Sequence, residues 1–150
     1  LNLSNEAKVL EVGIAGDEKP GGHYKFFKNT QYRTLDIESK WNADYTMDIC
    51  KTDFKENEWD LINCTQTLEH IFDFQKAIKE ICRISKNALL DSPWNFPLHQ
   101  DIFRPTDKID EIDDYWRISP SAMKKLLKEV GWRNVEISFN NLITFAYSGK

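Results

Sequence analysis

The segment that most constrains this chain is residues 9–16, a β-prone apolar run that ends in two glycines, Gly13 and Gly16. A strand that stops at glycines leaves bare backbone N–H groups at the carboxyl edge of a sheet, where a nucleotide-like ligand can approach without meeting a Cβ atom. An ordinary strand followed by a turn explains the run equally well. Asp36 favours the ligand site, because it ends a second apolar alternation 20 positions after Gly16. A carboxylate there can accept hydrogen bonds from ribose hydroxyls.

Length and charge narrow the classes of protein that are compatible with the chain. Its 150 residues suit one domain with a real core, and its net charge of −4 argues against nucleic acid as the main partner. No apolar run approaches the ~20 residues of a membrane span, so we expect a soluble cytoplasmic protein with no membrane partner. The cysteines form no CxxC pair, and we expect them to be buried thiols rather than metal ligands. They are Cys50, Cys64 and Cys82.

Strands and helices alternate along the chain, which predicts an α/β fold. The Pro20-Gly21-Gly22 segment prevents an early helix after the first strand, so the first crossover should be a loop with a short helix near 23–28. Pro93 is expected to stop the fifth strand. Ser119 and Pro120 predict a helix start, and Gly131 predicts its end. The other predicted elements are strands at about 8–14, 32–37, 44–47, 57–65 and 88–91, a helix over about 74–86, and a terminal pair of strands over 132–139 and 142–147.

Several polar residues in loops are candidates for proton transfer. His99 and Asp101 lie in a long irregular stretch, 93–119, whose aromatic residues favour function over disorder. His70 follows the fourth strand and could act as a base, although orienting the next helix is an equally good role for it. His99 and Asp101 lack a third ligand, so no metal site is predicted. We interpret His23 as an exposed loop residue.

Four residues of the irregular stretch could build a pocket for a second substrate, with aromatic walls and cationic contacts. The alternative is that the aromatic side chains cover the edge of the sheet and that the arginines pair with the acids of 107–114. The four are Trp94, Arg104, Tyr115 and Arg117.

Taken in order, these segments resemble the class I S-adenosylmethionine-dependent methyltransferases, in particular a small single-domain branch that acts on small molecules or glycans. The resemblance covers nearly the whole chain. It implies a Rossmann-like α/β fold over residues 1–150, with a mostly parallel seven-stranded sheet, an antiparallel last strand and helices on both faces. The segments that carry it are Val9–Gly13 with Gly16, Leu35–Asp36, Asp48–Ile49, Trp59–Ile62, Thr67–Ile71, Glu80–Ile84, Ser92–His99, Asp114–Pro120 and Leu126–Trp132.

The resemblance also implies S-adenosylmethionine as the cofactor and a set of residues around it. In that scheme Glu11, Gly13 and Gly16 surround its methionine part, Asp36 holds the ribose, Asp48 and Ile49 read the adenine, and Thr65 and Gln66 lie under the sulfonium. Two departures affect this site: Ala15 and Asp17 replace later positions of the family's glycine-rich loop, and Pro20-Gly21-Gly22 replaces most of the first helix.

We therefore expect methyl transfer to a hydroxyl, amine or carbon of a small molecule, with a sugar or glycan precursor as one such acceptor, by a monomer or homodimer. The alternative is a noncatalytic binding module that keeps the methyltransferase fold and has a degenerate glycine loop. A nicotinamide-dependent oxidoreductase is disfavoured by the Pro-Gly-Gly segment and by the terminal strand pair.

Overall fold

The computed structural model describes residues 3–14, 22–97 and 113–150, which form one seven-stranded sheet with helices against it. Within these ranges no helix is both long and apolar enough to cross a membrane. The strands are β1 (Lys8–Val12), β2 (Gln31–Asp36), β3 (Tyr45–Thr46), β4 (Leu61–Cys64), β5 (Asn87–Pro93), β6 (Asn134–Phe139) and β7 (Ile143–Gly149), and the helices are α1 (Tyr24–Phe27), α2 (Phe74–Ile84) and α3 (Pro120–Glu129).

The strand order is β3-β2-β1-β4-β5-β7-β6. The first five strands are parallel, and β7 lies antiparallel between β5 and β6. The β6–β7 turn is fixed by Asn140, whose side-chain oxygen accepts the N–H groups of Leu142 and Ile143, both at 2.8 Å. The predicted mostly parallel sheet with an antiparallel last strand is confirmed.

The larger core lies on the sheet face that α2 and α3 cover. The spacing of apolar residues in α2 predicts one buried face, and Phe74, Ile78, Ile81 and Cys82 are indeed buried. Met123 and Leu127 bury the inner side of α3, while Leu126 and Val130 are only partly covered.

The opposite face carries a smaller core. Val9, Tyr32 and Leu61 are buried there, and Phe27 of α1 packs against them. Helix α1 is the short helix that the Pro-Gly-Gly segment predicts, and it is only four residues long. Toward the carboxyl ends of the strands, the side chains on this face are polar.

Three local predictions concern where α3 begins, where α3 ends and where β5 ends. Ser119 caps α3 by accepting the Ala122 N–H at 3.3 Å, and Gly131 ends the helix with a φ of +110°, as predicted. The strand β5 ends at Pro93, as predicted, but it is longer than the predicted 88–91 and includes Pro93 itself, paired with Ile143. A proline fits as the last residue of a strand since only its missing N–H is lost, and its carbonyl still accepts the Ile118 N–H at 3.0 Å.

The three cysteines are unlinked thiols. Cys64 and Cys82 are buried as predicted, whereas Cys50 is only half-buried. Burial, followed by the charge of Asp48, raises the pKa of Cys50 to about 11, so this thiol stays protonated at neutral pH.

Candidate active site

Side chains on the α1 face of the sheet change from apolar to polar toward the carboxyl ends of the strands. Val9 of β1 pairs in register with Leu61 of β4, and two residues later Glu11 pairs with Asn63 and with Thr34 of β2. Because side chains alternate with a period of two, these residues share one face. All three polar side chains are buried.

One further step of two residues reaches the tips of four neighbouring strands. There the chain places Asp36 at the end of β2, Gly13 after β1, Thr65 after β4 and Asp91 within β5. The carboxyl edge of a parallel sheet is where α/β folds bind their ligands. Three of these residues are predicted site residues, and Asp91 is not.

The Asp36 carboxylate is held by the backbone on both sides. One oxygen accepts the Ile14 N–H at 3.0 Å and the other accepts the Glu38 N–H at 2.9 Å. Asp36 is 6% exposed. Each carboxylate oxygen keeps a second lone pair, so this side chain is preorganised to accept two hydroxyl donors.

Gly13 must be a glycine for two independent reasons. Its φ is +77°, and a Cβ at this position would lie 2.2 Å from the Thr67 hydroxyl oxygen. Thr67 is anchored there, since its hydroxyl donates within reach of the carbonyls of Val12 (3.2 Å) and Thr65 (2.9 Å). The backbone at the tip of β1 is therefore closely packed against the segment that follows β4.

These features fit the cofactor that the sequence predicts. Asp36 offers hydroxyl acceptors, Gly13 offers a backbone without a side chain, and the buried Asn63 amide nitrogen has no hydrogen-bond partner among the described residues. A buried donor without a partner costs stability unless a ligand or water satisfies it. These groups at the carboxyl ends of the strands can therefore hold a nucleoside linked to an amino acid.

Gln66 has a strained backbone that Asp91 stabilises. Its φ is +47°, in the left-handed region. One Asp91 oxygen accepts both the Gln66 backbone N–H at 2.9 Å and its side-chain N–H at 2.6 Å. Burial raises the pKa of Asp91, while these hydrogen bonds and the charge of His23 act in the opposite direction. Gln66 is exposed, so its remaining amide oxygen faces solvent at the sheet edge.

The predicted adenine-reading pair lies two residues beyond β3. Asp48 is exposed and closes a turn by accepting the Cys50 N–H at 2.8 Å, whereas Ile49 is 5% exposed. The chain comes close to the ribose-binding residue here, because the Met47 N–H donates to the Asp36 carbonyl at 3.0 Å. The chain forms a turn at Asp48, and the adenine contact stays a prediction.

Glu69 is a buried acid that sequence reasoning missed. It is 0% exposed, and neither carboxyl oxygen has a hydrogen-bond partner from another described residue. Burial raises its pKa to about 8, and the nearby carboxylates of Asp91 and Asp114 act in the same direction. At neutral pH the Glu69 side chain is therefore mostly a neutral acid.

The backbone beside Glu69 holds residues 113–118, which we call the strap. The Glu69 carbonyl accepts the N–H groups of Tyr115 at 2.8 Å and Trp116 at 3.3 Å. The next residue, His70, contacts the Asp113 carbonyl through Nδ1 at 2.7 Å. Since a carbonyl only accepts, Nδ1 carries the proton and Nε2 is the basic nitrogen. His70 thus orients the strap, which differs from the predicted alternative of orienting the next helix.

Arg117 is fully engaged within the chain. It forms a two-pronged ion pair with Asp114, and its other N–H groups donate to the carbonyls of Trp116, Phe96 and Pro97. All five guanidinium donors are thereby used. Pairing with an acid of the loop, which the sequence left open, is what the structure shows for this residue.

The two aromatic candidates lie at different places. Trp94 donates its indole N–H to the Asn140 carbonyl at 2.9 Å and packs edge-on against Phe139 of the β6–β7 hairpin. Tyr115 is 46% exposed and packs edge-on against Phe72.

The predicted residues Gly16, His99, Asp101 and Arg104 lie outside the described residues.

His23 lies in a turn with a partly exposed imidazole, as interpreted, and the structure adds a contact that the sequence does not indicate. Its Nδ1 contacts the Glu11 carboxylate, whose side chain is 2% exposed, while the imidazole is 40% exposed. The contact spans twelve residues, which sequence spacing alone does not reveal. The alternation of β5 did carry a signal for Asp91, because Leu89 and Asp91 repeat the apolar-to-polar change of the other strands.

Comparison with known proteins gives one match to a family model. Residues 28–88 match the family model of the methyltransferase domain. This segment contains Asp36, Asp48, Thr65 and Gln66. No curated protein matches the chain significantly.

Solved structures share the fold at low sequence identity. A phosphoethanolamine N-methyltransferase 2 from Haemonchus contortus, in complex with S-adenosyl-L-methionine, is 11% identical with a TM-score of 0.69, over 99% of this chain and 49% of that one. The CurJ carbon methyltransferase is 16% identical with a TM-score of 0.71, over 99% and 50%. An S-adenosylmethionine-dependent methyltransferase from Mesorhizobium loti is 10% identical with a TM-score of 0.69, over 97% and 91%. The chain spans about half the length of the first two.

Proposed function

We propose that the chain is a class I S-adenosylmethionine-dependent methyltransferase, as its sequence resemblance implies, and that it transfers the methyl group to a small-molecule acceptor. The observation that carries the proposal is the tip of β2, where both oxygens of Asp36 are fixed by backbone N–H groups beside the bare backbone of Gly13. This arrangement accepts a ribose and admits the rest of the cofactor.

In this proposal the cofactor lies across the carboxyl edge of the sheet. When bound, S-adenosylmethionine supplies an electrophilic methyl group on a sulfonium. Asp36 holds the ribose hydroxyls, Asp48 and Ile49 contact the adenine, and Thr65 with Gln66 line the edge below the reacting centre. Glu11, Gly13 and Gly16 surround the amino-acid part.

Catalysis requires the acceptor atom to be held close to the methyl group, with water excluded. A hydroxyl or ammonium acceptor must also lose a proton, and His70, whose ring contacts the strap through Nδ1, is a candidate base. His99 and Asp101 are proposed as further bases, in the sequence between β5 and the strap. An amine acceptor that is already neutral needs only orientation.

The acceptor is proposed to be a small molecule that is methylated on a hydroxyl, an amine or a carbon, with a sugar or glycan precursor as one candidate. Trp94, Tyr115 and Arg104 would contact it. Arg117 would act as a positioning residue, since its donors already bind the strap and residues 96–97. We further propose a cytoplasmic monomer or homodimer in which residues 1–150 act as one domain.

A noncatalytic binding module is the second candidate. The observation that favours it is the sequence of the glycine loop, where Ala15, Asp17 and the Pro20-Gly21-Gly22 segment depart from the family's pattern. Such a module would bind the cofactor or its product without turning over any acceptor.

Calorimetric titration with S-adenosylhomocysteine and with NAD tests the cofactor site. We expect binding of the first ligand alone, and loss of that binding in Asp36→Ala. Asp53→Ala is the matched control, because Asp53 is an exposed acid away from the sheet edge. A folded wild-type protein that binds neither ligand would overturn the proposal.

Transfer of labelled methyl groups from S-adenosylmethionine to a panel of amines, alcohols and carbon acids then separates the two candidates. Turnover of any acceptor excludes the noncatalytic module. Binding of S-adenosylhomocysteine without turnover across the panel favours it.

A further inference from the structure

We infer that His23 is a cofactor-binding residue that recognises the carboxylate of the cofactor's amino-acid part through its imidazole. The inference rests on the proposed function and extends it to a residue that neither the glycine motif nor the family resemblance marks. The geometry that carries it is the contact between His23 and the buried carboxylate of Glu11.

The Glu11 contact fixes where the imidazole lies. Glu11 is the last polar side chain of β1 on the α1 face, in register with Thr34 and Asn63. Through Nδ1 the ring is therefore anchored above the polar row that leads to the strand tips. The remainder of the ring is open to solvent, with the imidazole 40% exposed.

The position of Glu11 in β1 places the ring near the tip of that strand. Glu11 lies two residues before Gly13 on the α1 face, and the His23 ring contacts its carboxylate through Nδ1. In the proposed site this is the region of the amino-acid part, next to Gly13.

The chemistry of the ring then decides the ligand class. The Glu11 carboxylate lies at this position, so a ligand carboxylate would be repelled unless a cation intervened. His23 contacts this acid directly. When protonated, it donates Nδ1–H to Glu11 and presents Nε2–H as a second charge-assisted donor. An α-carboxylate is the anionic group of the cofactor that matches this donor.

The test compares two ligands that differ in the amino-acid part. S-adenosylhomocysteine carries it, whereas 5′-methylthioadenosine shares the nucleoside and the sulfur but lacks it. Calorimetry is performed with both ligands on the wild type, His23→Gln, Asp36→Ala and the control Lys25→Gln. Lys25 is exposed on α1, two residues from His23. We expect His23→Gln to weaken S-adenosylhomocysteine about tenfold and to leave 5′-methylthioadenosine unchanged.

The outcomes separate the inference from the proposed function. Equal weakening of both ligands by His23→Gln would mean that the residue only supports the local fold, and no weakening would mean that it does not contact the ligand; either result overturns the inference. Asp36→Ala should weaken both ligands. A wild-type protein that binds neither ligand would instead overturn the proposed function itself.

A second readout needs no ligand turnover. Imidazole ¹⁵N NMR should report the His23 ring nitrogens before and after addition of each nucleoside. We expect the Nε2 resonance to shift with S-adenosylhomocysteine and to stay in place with 5′-methylthioadenosine. An Nε2 resonance that ignores saturating S-adenosylhomocysteine would contradict a carboxylate contact.

Discussion

The two halves of the carboxyl edge of the sheet accommodate a buried carboxyl group in different ways. At the β1–β2 tips, the Asp36 carboxylate is satisfied by two backbone N–H groups and sits beside a glycine that admits no side chain. At the β4–β5 side, Glu69 is buried with neither oxygen bonded to another described residue, and it stays neutral because its pKa is raised to about 8.

The difference shows which half is built for a fixed ligand. A carboxylate that is held by the backbone keeps its direction, which suits a cofactor that always presents the same ribose. A neutral buried acid beside Asp91 and the Asp114–Arg117 pair changes its charge within the physiological pH range. The β1–β2 half is therefore preorganised, whereas the β4–β5 half responds to pH and to what binds there.

Replacing Glu69 by glutamine should have the largest effect. The unfolded chain ionises this acid near 4.5, and the folded chain near 8. Between these values the folded state holds a proton that the unfolded state has lost, so the free energy of unfolding falls as pH rises, by roughly 4 to 5 kcal/mol in total. Glu69→Gln should abolish this fall and be more stable than the wild type at pH 8, as measured by urea unfolding from pH 5 to 8.

The matched control for that experiment is Glu80→Gln. Arg83 lowers the pKa of Glu80, so this acid contributes stability above the unfolded pKa and loses it only as pH falls. Its substitution should leave the fall between pH 5 and 8 unchanged. A fall that persists in Glu69→Gln would show that other groups cause it.

Gly13→Ala tests the rigidity of the β1–β2 half. The new Cβ would meet the Thr67 hydroxyl at 2.2 Å on a backbone with φ of +77°. We expect a loss of roughly 3 to 4 kcal/mol in the free energy of unfolding, from strain and overpacking together. Gly131→Ala is the control, since its φ is +110° but nothing lies within 4 Å of the added Cβ. Equal losses in thermal or urea unfolding would show that backbone strain alone matters at Gly13.

Arg117→Ala tests whether the strap depends on its ion pair. The substitution removes the two-pronged ion pair from the Asp114 carboxylate, which is 1% exposed. We expect a loss of about 2 kcal/mol and faster hydrogen exchange at Tyr115 and Trp116. Arg133→Ala, on an exposed arginine, should change neither quantity. Unchanged exchange in the strap would show that the Glu69 and His70 backbone contacts hold it without Arg117.

The smallest expected effect is that of Asp91→Ala. The substitution removes the carboxylate that accepts two Gln66 N–H groups. Because Gln66 is exposed, water can accept these hydrogen bonds instead. We expect a loss of about 1 kcal/mol in urea unfolding, with Asp53→Ala as the control. A loss of stability as large as that of Gly13→Ala would contradict the difference between the two halves of the carboxyl edge.

Much of the fold follows from local sequence signals. The α2 face, the Ser119 cap, the Gly131 stop and the terminal strand pair are each encoded within a few residues, so pattern reasoning finds them. Pro93 shows the limit, because strand ends depend on pairing with β7, which the local sequence does not reveal.

The site is less accessible to such reasoning. Asp36 and Gly13 are found because a strand tip needs a carboxylate and a glycine at fixed positions. The role of His23 depends on a contact with Glu11, and that of Glu69 on complete burial under the strap. The His23–Glu11 contact and the burial of Glu69 both arise from tertiary packing, and neither produces a periodic pattern in the sequence.

The most direct test of the account is an NMR titration of the labelled protein with S-adenosylhomocysteine. The account predicts that the largest backbone amide shifts occur at Gly13, Ile14 and Glu38, around the Asp36 carboxylate, with smaller shifts in the strap. Saturating ligand that leaves these three amides unmoved, or that shifts only residues 113–118, would contradict the assignment of the β1–β2 half as the cofactor site.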